Sequence, residues 1–519
     1  MKRSHLFTAV PFVTGLLLLV SCKKDLYSGP IGSTYGQEFW TSQAAVEKAT
    51  VAMYGQFRAG LRNAPSQIDY SEASYFVFGD LAAGVFSPAG GDVFLNYGMA
   101  SPKFNFGYVP YWEESLHNWS RFYQVIAQSN LVLQNVPQMS KSMFANEAAR
   151  NNYLAEALFM RAYTYFYMIR VWGDPVFVTK TYNGADYGNI PPLARTAEGI
   201  VLDSCLADLR LAAGYMNYGG GDPSKSIRAN RGSAYALMAH MFEWKHQYDS
   251  AHKYCQQVIN NGGYSLESMD NYPNIWKGQS SAESIFELPM LYSANDPNFK
   301  GAGDWAEAQF NCFGTFLKDS KTDGKKSSCW IAPAGGLFDN TLFDTTVDAR
   351  YKSVFELVDA SGGDDKGYMM TKYANFAYGV HDTKSYPYVN NDLVLLRLAD
   401  IYLLDAEALA YLGNIEGARS QLAFTEDRAG ITNYQNPTTA YDMIDEVVME
   451  RGRELIGEGQ WYYDLVRTEY TQQWLEYIGQ LPARTTPTAK GYYWPLDMAT
   501  LFPYDNLLTQ NPYWATQGR

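Results

Sequence analysis

The chain has 519 residues, with 41 Lys and Arg against 54 Asp and Glu, a formal net charge of −13 at pH 7. That balance argues against a nucleic-acid binder, whose footprint is a basic face, and 47% apolar content argues against a disordered chain. Aromatics reach 15%, led by 41 Tyr, whose ring can bury while its hydroxyl stays hydrated.

Lys2 and Arg3 precede an apolar stretch over residues 6–20, broken by Thr8, Pro11, Thr14 and Gly15. It is short for a membrane span and has the shape of a secretory leader. It ends Leu19-Val20-Ser21-Cys22, which resembles a bacterial lipobox. The resemblance implies that 1–21 is a signal peptide, that Cys22 is acylated, and that 22–36 is a lipidated tether. Acyl chains anchor through about 0.8 kcal/mol per buried CH₂, so the body would be tethered to a membrane rather than embedded. Of the later cysteines, Cys205 and Cys255 fall on helical patterns and read as small buried hydrophobes. Cys312 and Cys329 flank a polar stretch and could pair in an exported protein.

The clearest helix is 153–172, where Ala155, Leu158, Ala162, Tyr165, Ile169 and Trp172 recur at three- and four-residue steps. Gly173 and Pro175 stop it. With 120–136 it forms a helix hairpin. Further helices are expected at 197–216, 230–245, 249–262, 392–412, 416–428, 441–456 and 461–478. Grouped as pairs over about 115–172, 197–261, 392–428 and 441–478, they look like degenerate tetratricopeptide units without a strict repeat; an irregular bundle is the alternative. Stretches 63–112, 263–390 and 479–519 carry few helix signals, apart from a short strand at 283–289. Long loops of this kind are usually functional. The expectation is one mostly α domain over 37–519, a helix-pair scaffold with a large loop-rich side.

Phe39-Trp40 leads into a helix over 44–60. Ala155-Glu-Ala-Leu-Phe-Met-Arg161-Ala-Tyr-Thr-Tyr-Phe166 precedes Val171-Trp-Gly-Asp-Pro175. Arg397-Leu-Ala-Asp400-Ile-Tyr402-Leu-Leu-Asp-Ala-Glu407-Ala408 is a second motif. A third runs from Glu450-Arg451-Gly-Arg453-Glu454 through Glu458-Gly459-Gln-Trp461 to Asp464 and Arg467. Trp494-Pro495 and Gln510-Asn511-Pro512 close the chain. Together, and in this order, these motifs resemble the SusD/RagB family of outer-membrane lipoproteins. Gly452, Gln460 and Tyr513 depart from the family's usual Arg, Arg and Gly, and local repacking is expected there. The resemblance implies a SusD-like fold and a non-enzymatic surface lipoprotein. It would bind a nutrient polymer, usually a glycan, and cap a SusC-like TonB-dependent transporter in the outer membrane, with its helical side on the transporter and its loops on the ligand.

The cluster Glu450, Arg453, Glu454, Glu458, Asp464 and Arg467 has the paired carboxylates of acid/base chemistry. Ion pairs pinning two helices are the simpler reading, and Arg397 with Asp400 is the same case. No histidine spacing suits a metal. Gly301-Ala-Gly303 lacks the strand a dinucleotide fingerprint needs. No cofactor is expected. The acidic turn at 359–365 is the one calcium candidate, with a solvated loop as its competitor.

Aromatics crowd 75–112 and 292–330, where Gly and Pro break regular elements. A flat ring can cover the C–H face of a sugar while Asp or Asn meets its hydroxyls. Core packing accounts for most of these rings. Tyr97, Tyr292, Trp305 and Trp330 are the ligand candidates, with Asp80 and Asn96 as polar partners. Three functions compete: glycan capture, peptide capture within the same family, and a tethered glycoside hydrolase. The −13 charge argues against strongly acidic glycans.

Overall fold

The computed structural model describes residues 37–62, 74–89, 114–181, 191–220, 222, 225–278, 281–290, 311–317, 329–359, 366–377, 388–431, 437–477 and 488–516. The first helices are α1 (Gln43–Arg62), α2 (Ser74–Gly79), α3 (Glu114–His117), α4 (Ser120–Asn135) and α5 (Glu147–Trp172). A second run gives α6 (Glu198–Tyr215), α7 (Arg231–Trp244) and α8 (Tyr248–Asn261), and α9 (Ala349–Val354) is a short outlier. Then follow α10 (Leu398–Tyr411), α11 (Ile415–Ala429), α12 (Ala440–Glu454), α13 (Trp461–Arg467), α14 (Thr471–Tyr477) and α15 (Pro512–Thr516). The protein is mostly helical, as the sequence predicts.

The helices form one array. α1 packs on α4, α4 on α5, α5 on α6, α6 on α7 and α7 on α8. The array then skips the long insertion: α8 packs directly on α10, which in turn packs on α11 and α12. α5 lies in the middle of its half and is buried on nearly every face from Tyr153 to Trp172, as a helix walled in on all sides must be. Its start is fixed by the Asn146 side chain, which accepts from the Ala149 amide at 2.8 Å. α7 carries a capping box in which Asn230 and Ser233 satisfy each other's backbone, stabilising the end by about 1 kcal/mol.

The insertion supplies the strands. β1 (Ser87–Ala89), β3 (Cys329–Pro333), β5 (Lys366–Met370) and β4 (Phe355–Asp359) make an antiparallel sheet in the order β1-β3-β5-β4. β6 (Phe376–Ala377) pairs with β7 (Tyr388–Val389), and β2 (Ser284–Pro289) with β8 (Asp392–Arg397). The sequence predicts a helix from 392. Instead Asp392–Arg397 is a strand, buried at all six positions against β2. A continuous apolar run has no periodicity that separates a buried strand from a buried helix. The predicted helix over 461–478 is likewise two. Thr468 turns its hydroxyl back to the Asp464 carbonyl, Thr471 reaches the Leu465 carbonyl, and Glu469 takes φ +62° between them.

One apolar cluster runs from Trp40 on the approach to α1 to Trp514 in α15. The C-terminal motif is clamped to α5. Arg195 donates to the carbonyls of Trp172 and Thr509 and to Asn511 Oδ1, while Asn511 Nδ2 bonds the carbonyls of Trp172 and Trp494. Among the described residues, no helix is long and apolar enough to cross a membrane. Cys205 and Cys255 are buried, as expected, and burial pushes both thiols up. The Cys312 side chain lies outside the described residues, and with it the question of a bond to Cys329.

Candidate functional site

The third family motif lies where α12 turns into α13, and its charges form two buried networks. In one, Arg397 at the end of β8 donates to Glu283 at 2.7 Å, Glu454 at 2.6 Å and Glu458 at 2.7 Å. Glu454 also meets Arg428 of α11 and Arg350 of α9. Arg350 joins Asp348 and Glu450, and Lys372 joins Glu458 at 2.7 Å. In the second, Arg451 bridges Asp400 and Asp464, and Arg467 bridges Asp464 and Glu407.

These groups lie out of water. Burial opposes the charge on Glu454, but Arg428, Arg397 and Arg350 outweigh it and hold the carboxyl well below its usual range. Burial likewise opposes Asp400, and His240 with Arg451 outweighs it. A carboxylate held ionised by several guanidinium groups is a poor proton donor at neutral pH. The arrangement pins α9, α10, α11, α12 and α13 to β8, as the ion-pair reading of the cluster expects. Sequence reasoning missed Arg350, Glu283, Arg428 and Lys372, which join the motif from distant positions in the chain.

The loop between α12 and α13 is built on close backbone approach. Gly457 and Gly459 take φ +74° and +71°. A Cβ on Gly459 would come within 2.3 Å of the Tyr75 ring, and one on Gly79 within 2.2 Å of the Gly459 carbonyl. Tyr75 and Tyr373 donate their hydroxyls to the carbonyls of Glu458 and Gly457, each at 2.7 Å. Asp80 completes the clamp: its Oδ1 accepts from the Gly457 amide at 2.9 Å and its Oδ2 from the Gly459 amide at 2.7 Å. Burial pushes the Asp80 carboxyl up to about 8, against those two donors and Lys372.

Of the six sequence-chosen ligand residues, Asp80 and Trp330 are described, and both are core positions. Asp80 is 3% exposed with both oxygens occupied by backbone. Trp330 is 2% exposed in β3, opposite Pro88 of β1. Neither presents a face to a sugar, so the structure corrects these two assignments to scaffold roles. Short aromatic segments broken by Gly and Pro look alike in a sequence whether they fold inward or outward. Asn96, Tyr97, Tyr292 and Trp305 lie outside the described residues, as does the calcium candidate over 359–365 except for Asp359, which pairs with Lys366. No group of three His, Cys, Asp or Glu suited to a metal occurs among the described residues.

The two departures inside the motif have local causes. Trp461 lies over Gly452, where a Cβ would approach its indole to 2.5 Å. Gln460 Oε1 accepts from Arg170 at 2.9 Å, and that guanidinium sits over the rings of Phe166 and Tyr463. An arginine at 460 would face Arg170.

An array of helix hairpins locked by a buried charge network, with short strands inserted in its middle, defines a helical-scaffold class of protein. A family model described as "SusD family" matches residues 244–514, and a second, described as "Starch-binding associating with outer membrane", matches 98–242. The chain belongs to the SusD family. It is 25% identical to a SusD-like protein of Bacteroides ovatus over 503 residues, covering 90% of this chain and 82% of that one. A SusD homolog from Bacteroides thetaiotaomicron superposes with a TM-score of 0.71 at 26% identity, over 91% of this chain and 98% of the other. Surface glycan-binding protein A from Bacteroides thetaiotaomicron shares the fold, with a TM-score of 0.69 at 19% identity over 92% and 100%.

Proposed function

We propose that this chain is a surface-exposed lipoprotein that binds a glycan, an oligo- or polysaccharide, and passes it to a SusC-like TonB-dependent transporter without transforming it. Membership of the SusD family carries the reading. The name of the second matching family model, and the glycan-binding name of a structure that shares the fold, support carbohydrate as the ligand and the outer membrane as the location. The Cys22 motif supports the lipid anchor, and the family resemblance supports an orientation toward the cell exterior. The described chemistry agrees with capture rather than hydrolysis, because the motif's acids are engaged by guanidinium and ammonium groups.

Tyr97, Tyr292 and Trp305, with Asn96, remain the proposed ligand contacts. A ring stacked on a sugar face excludes water from C–H groups, and an amide fixes the hydroxyl edge. Isothermal calorimetry of the mature chain against a glycan panel tests the reading, with a reducing-end assay on any glycan bound. Saturable binding without product is expected. Tight binding of oligopeptides with no glycan bound would replace the ligand class, and turnover would replace the non-enzymatic role.

A further inference from the structure

The β2–β8 ladder holds buried acids of a different kind from those in the networks. Its register sets Glu287 opposite Val394 and Pro289 opposite Asp392. Glu287 and Asp392 are therefore diagonal neighbours on one face, about 7–8 Å apart across the ladder, within the reach of a long side chain such as that of Glu287. Glu287 is 0% and Asp392 4% exposed. Ser226 donates to Glu287 Oε1 at 2.7 Å. Among the described residues, Glu287 Oε2 and Asp392 Oδ1 make no hydrogen bond of ordinary geometry, although the Ser284 hydroxyl is near enough to Glu287 to lower its carboxyl.

The described charged groups packed around this face are engaged elsewhere. Arg58 of α1 donates to the Pro289 carbonyl at 3.0 Å, and Tyr54 of α1 donates to Glu156. From α7, which packs on both strands, His240 bonds Asp400 and Glu243 faces Arg467. At the far end of the ladder Glu283 and Arg397 pair with each other. Asn391, beside Asp392, donates to the Trp276 carbonyl. Two carboxylates in such a site, with no paired cation among the described residues, do not both stay ionised.

We infer that Glu287 and Asp392 share one proton, carried on Asp392, and that the β2–β8 ladder is a proton-binding site. A single O–H from Asp392 to Glu287 Oε2 would satisfy both orphaned oxygens at once. Burial, and then the charge on Glu287, push Asp392 up to about 8; burial pushes Glu287 up as well. Met290, which follows Glu287 and Pro289 and donates its amide to the Asn391 carbonyl at 3.2 Å, leads into the segment with Tyr292 and Trp305. The proton would steady the point from which that segment departs. That consequence rests on the glycan reading; the proton itself does not.

The sign follows from linkage. An unfolded Asp ionises near pH 4, and the folded one near 8. Between these values the folded chain holds a proton that the unfolded chain has lost. The site's contribution to stability is therefore complete below about pH 4, falls as pH rises to about 8, and is constant above.

The test uses the ligand-free mature protein, so that its outcome is independent of any glycan. Wild type, Asp392→Asn and Glu287→Gln are unfolded in urea from pH 4 to 9. The folding constant of Asp392→Asn over that of wild type should rise by up to about tenfold per pH unit between 4 and 8, then level. Glu287→Gln should narrow that window by removing the opposing charge. The protonated-carboxyl infrared band at pH 7 should be weaker in Asp392→Asn than in wild type, the remainder coming from other buried acids such as Asp80. If Asp392→Asn does not fold, the Glu287→Gln profile decides. A ratio independent of pH, or a band of equal intensity in the two proteins, would overturn the inference. So would stabilisation of wild type by calcium chloride that Asp392→Asn lacks, since the pair would then be a cation site.

Discussion

At Asp80 a carboxylate in an aromatic segment meets two peptide N–H groups instead of a sugar, and the loop it holds can come so close only because Gly457 and Gly459 lack side chains. Asp80→Ala leaves two buried donors without an acceptor, at about 1–3 kcal/mol each. Urea unfolding should show a loss of that size, while glycan affinity of the folded fraction stays unchanged. A loss of affinity at constant stability would restore Asp80 to the ligand site. Gly452 offers a sharper case. Gly to Ala inside a helix ordinarily stabilises by about 1 kcal/mol. Here the new Cβ meets the Trp461 indole at 2.5 Å, and Trp461 is held by its Nε1 bond to the Val448 carbonyl. Gly452→Ala should therefore destabilise by about 1–3 kcal/mol, the usual cost of overpacking, with the sign read directly from the shift in Tm.

The elements differ in how far their identity could be read from the chain. The helix at α5 was legible because its apolar residues recur at helical steps and a Gly and a Pro stop it, although the structure begins it six residues earlier, at Glu147. β8 was not legible, since Leu393–Leu396 is a continuous apolar run of the kind common to buried strands and buried helices. The break between α13 and α14 depends on two threonine hydroxyls turning back to carbonyls, a choice made by local hydrogen bonding rather than by period. The ion-pair role of the third motif could be argued from helical spacing alone, yet its hub could not. Arg397 meets Glu283 across 114 positions and Arg350 meets Glu450 across 100. Nothing local marks either partner. The hub position carries a clear expectation. Arg397→Ala strands Glu283, Glu454 and Glu458 in a dry interior with fewer counter-charges. Removing one partner of a buried pair typically costs about 3–5 kcal/mol, so urea unfolding should show at least that loss. A loss under 1 kcal/mol would mean that water reaches the network.

Over the whole molecule, recognition motifs and ligand chemistry separate. The residues that make this chain a member of its family are the ones that hold it together: Arg397, Glu454 and Trp461 are buried, and Asn511 ties the C-terminus to α5. A scaffold fixed in this way can carry different loops without losing its fold, so family membership is compatible with many ligands. The division predicts opposite behaviour for two tryptophans that look alike in sequence. Trp330 is packed in β3, and Trp330→Ala should cost about 3–5 kcal/mol as a large cavity, with affinity per folded molecule unchanged. Trp305 belongs to the proposed ligand contacts. Trp305→Ala should leave Tm within 2 °C, roughly the effect of a surface change in a chain of this size, and should weaken glycan binding by about tenfold or more, the equivalent of about 1.4 kcal/mol. Calorimetry and thermal unfolding on the same two variants check both halves. If Trp305→Ala lowers Tm and spares affinity, the aromatic ring at 305 belongs to the scaffold, and the sugar face must be sought around Tyr97 and Tyr292.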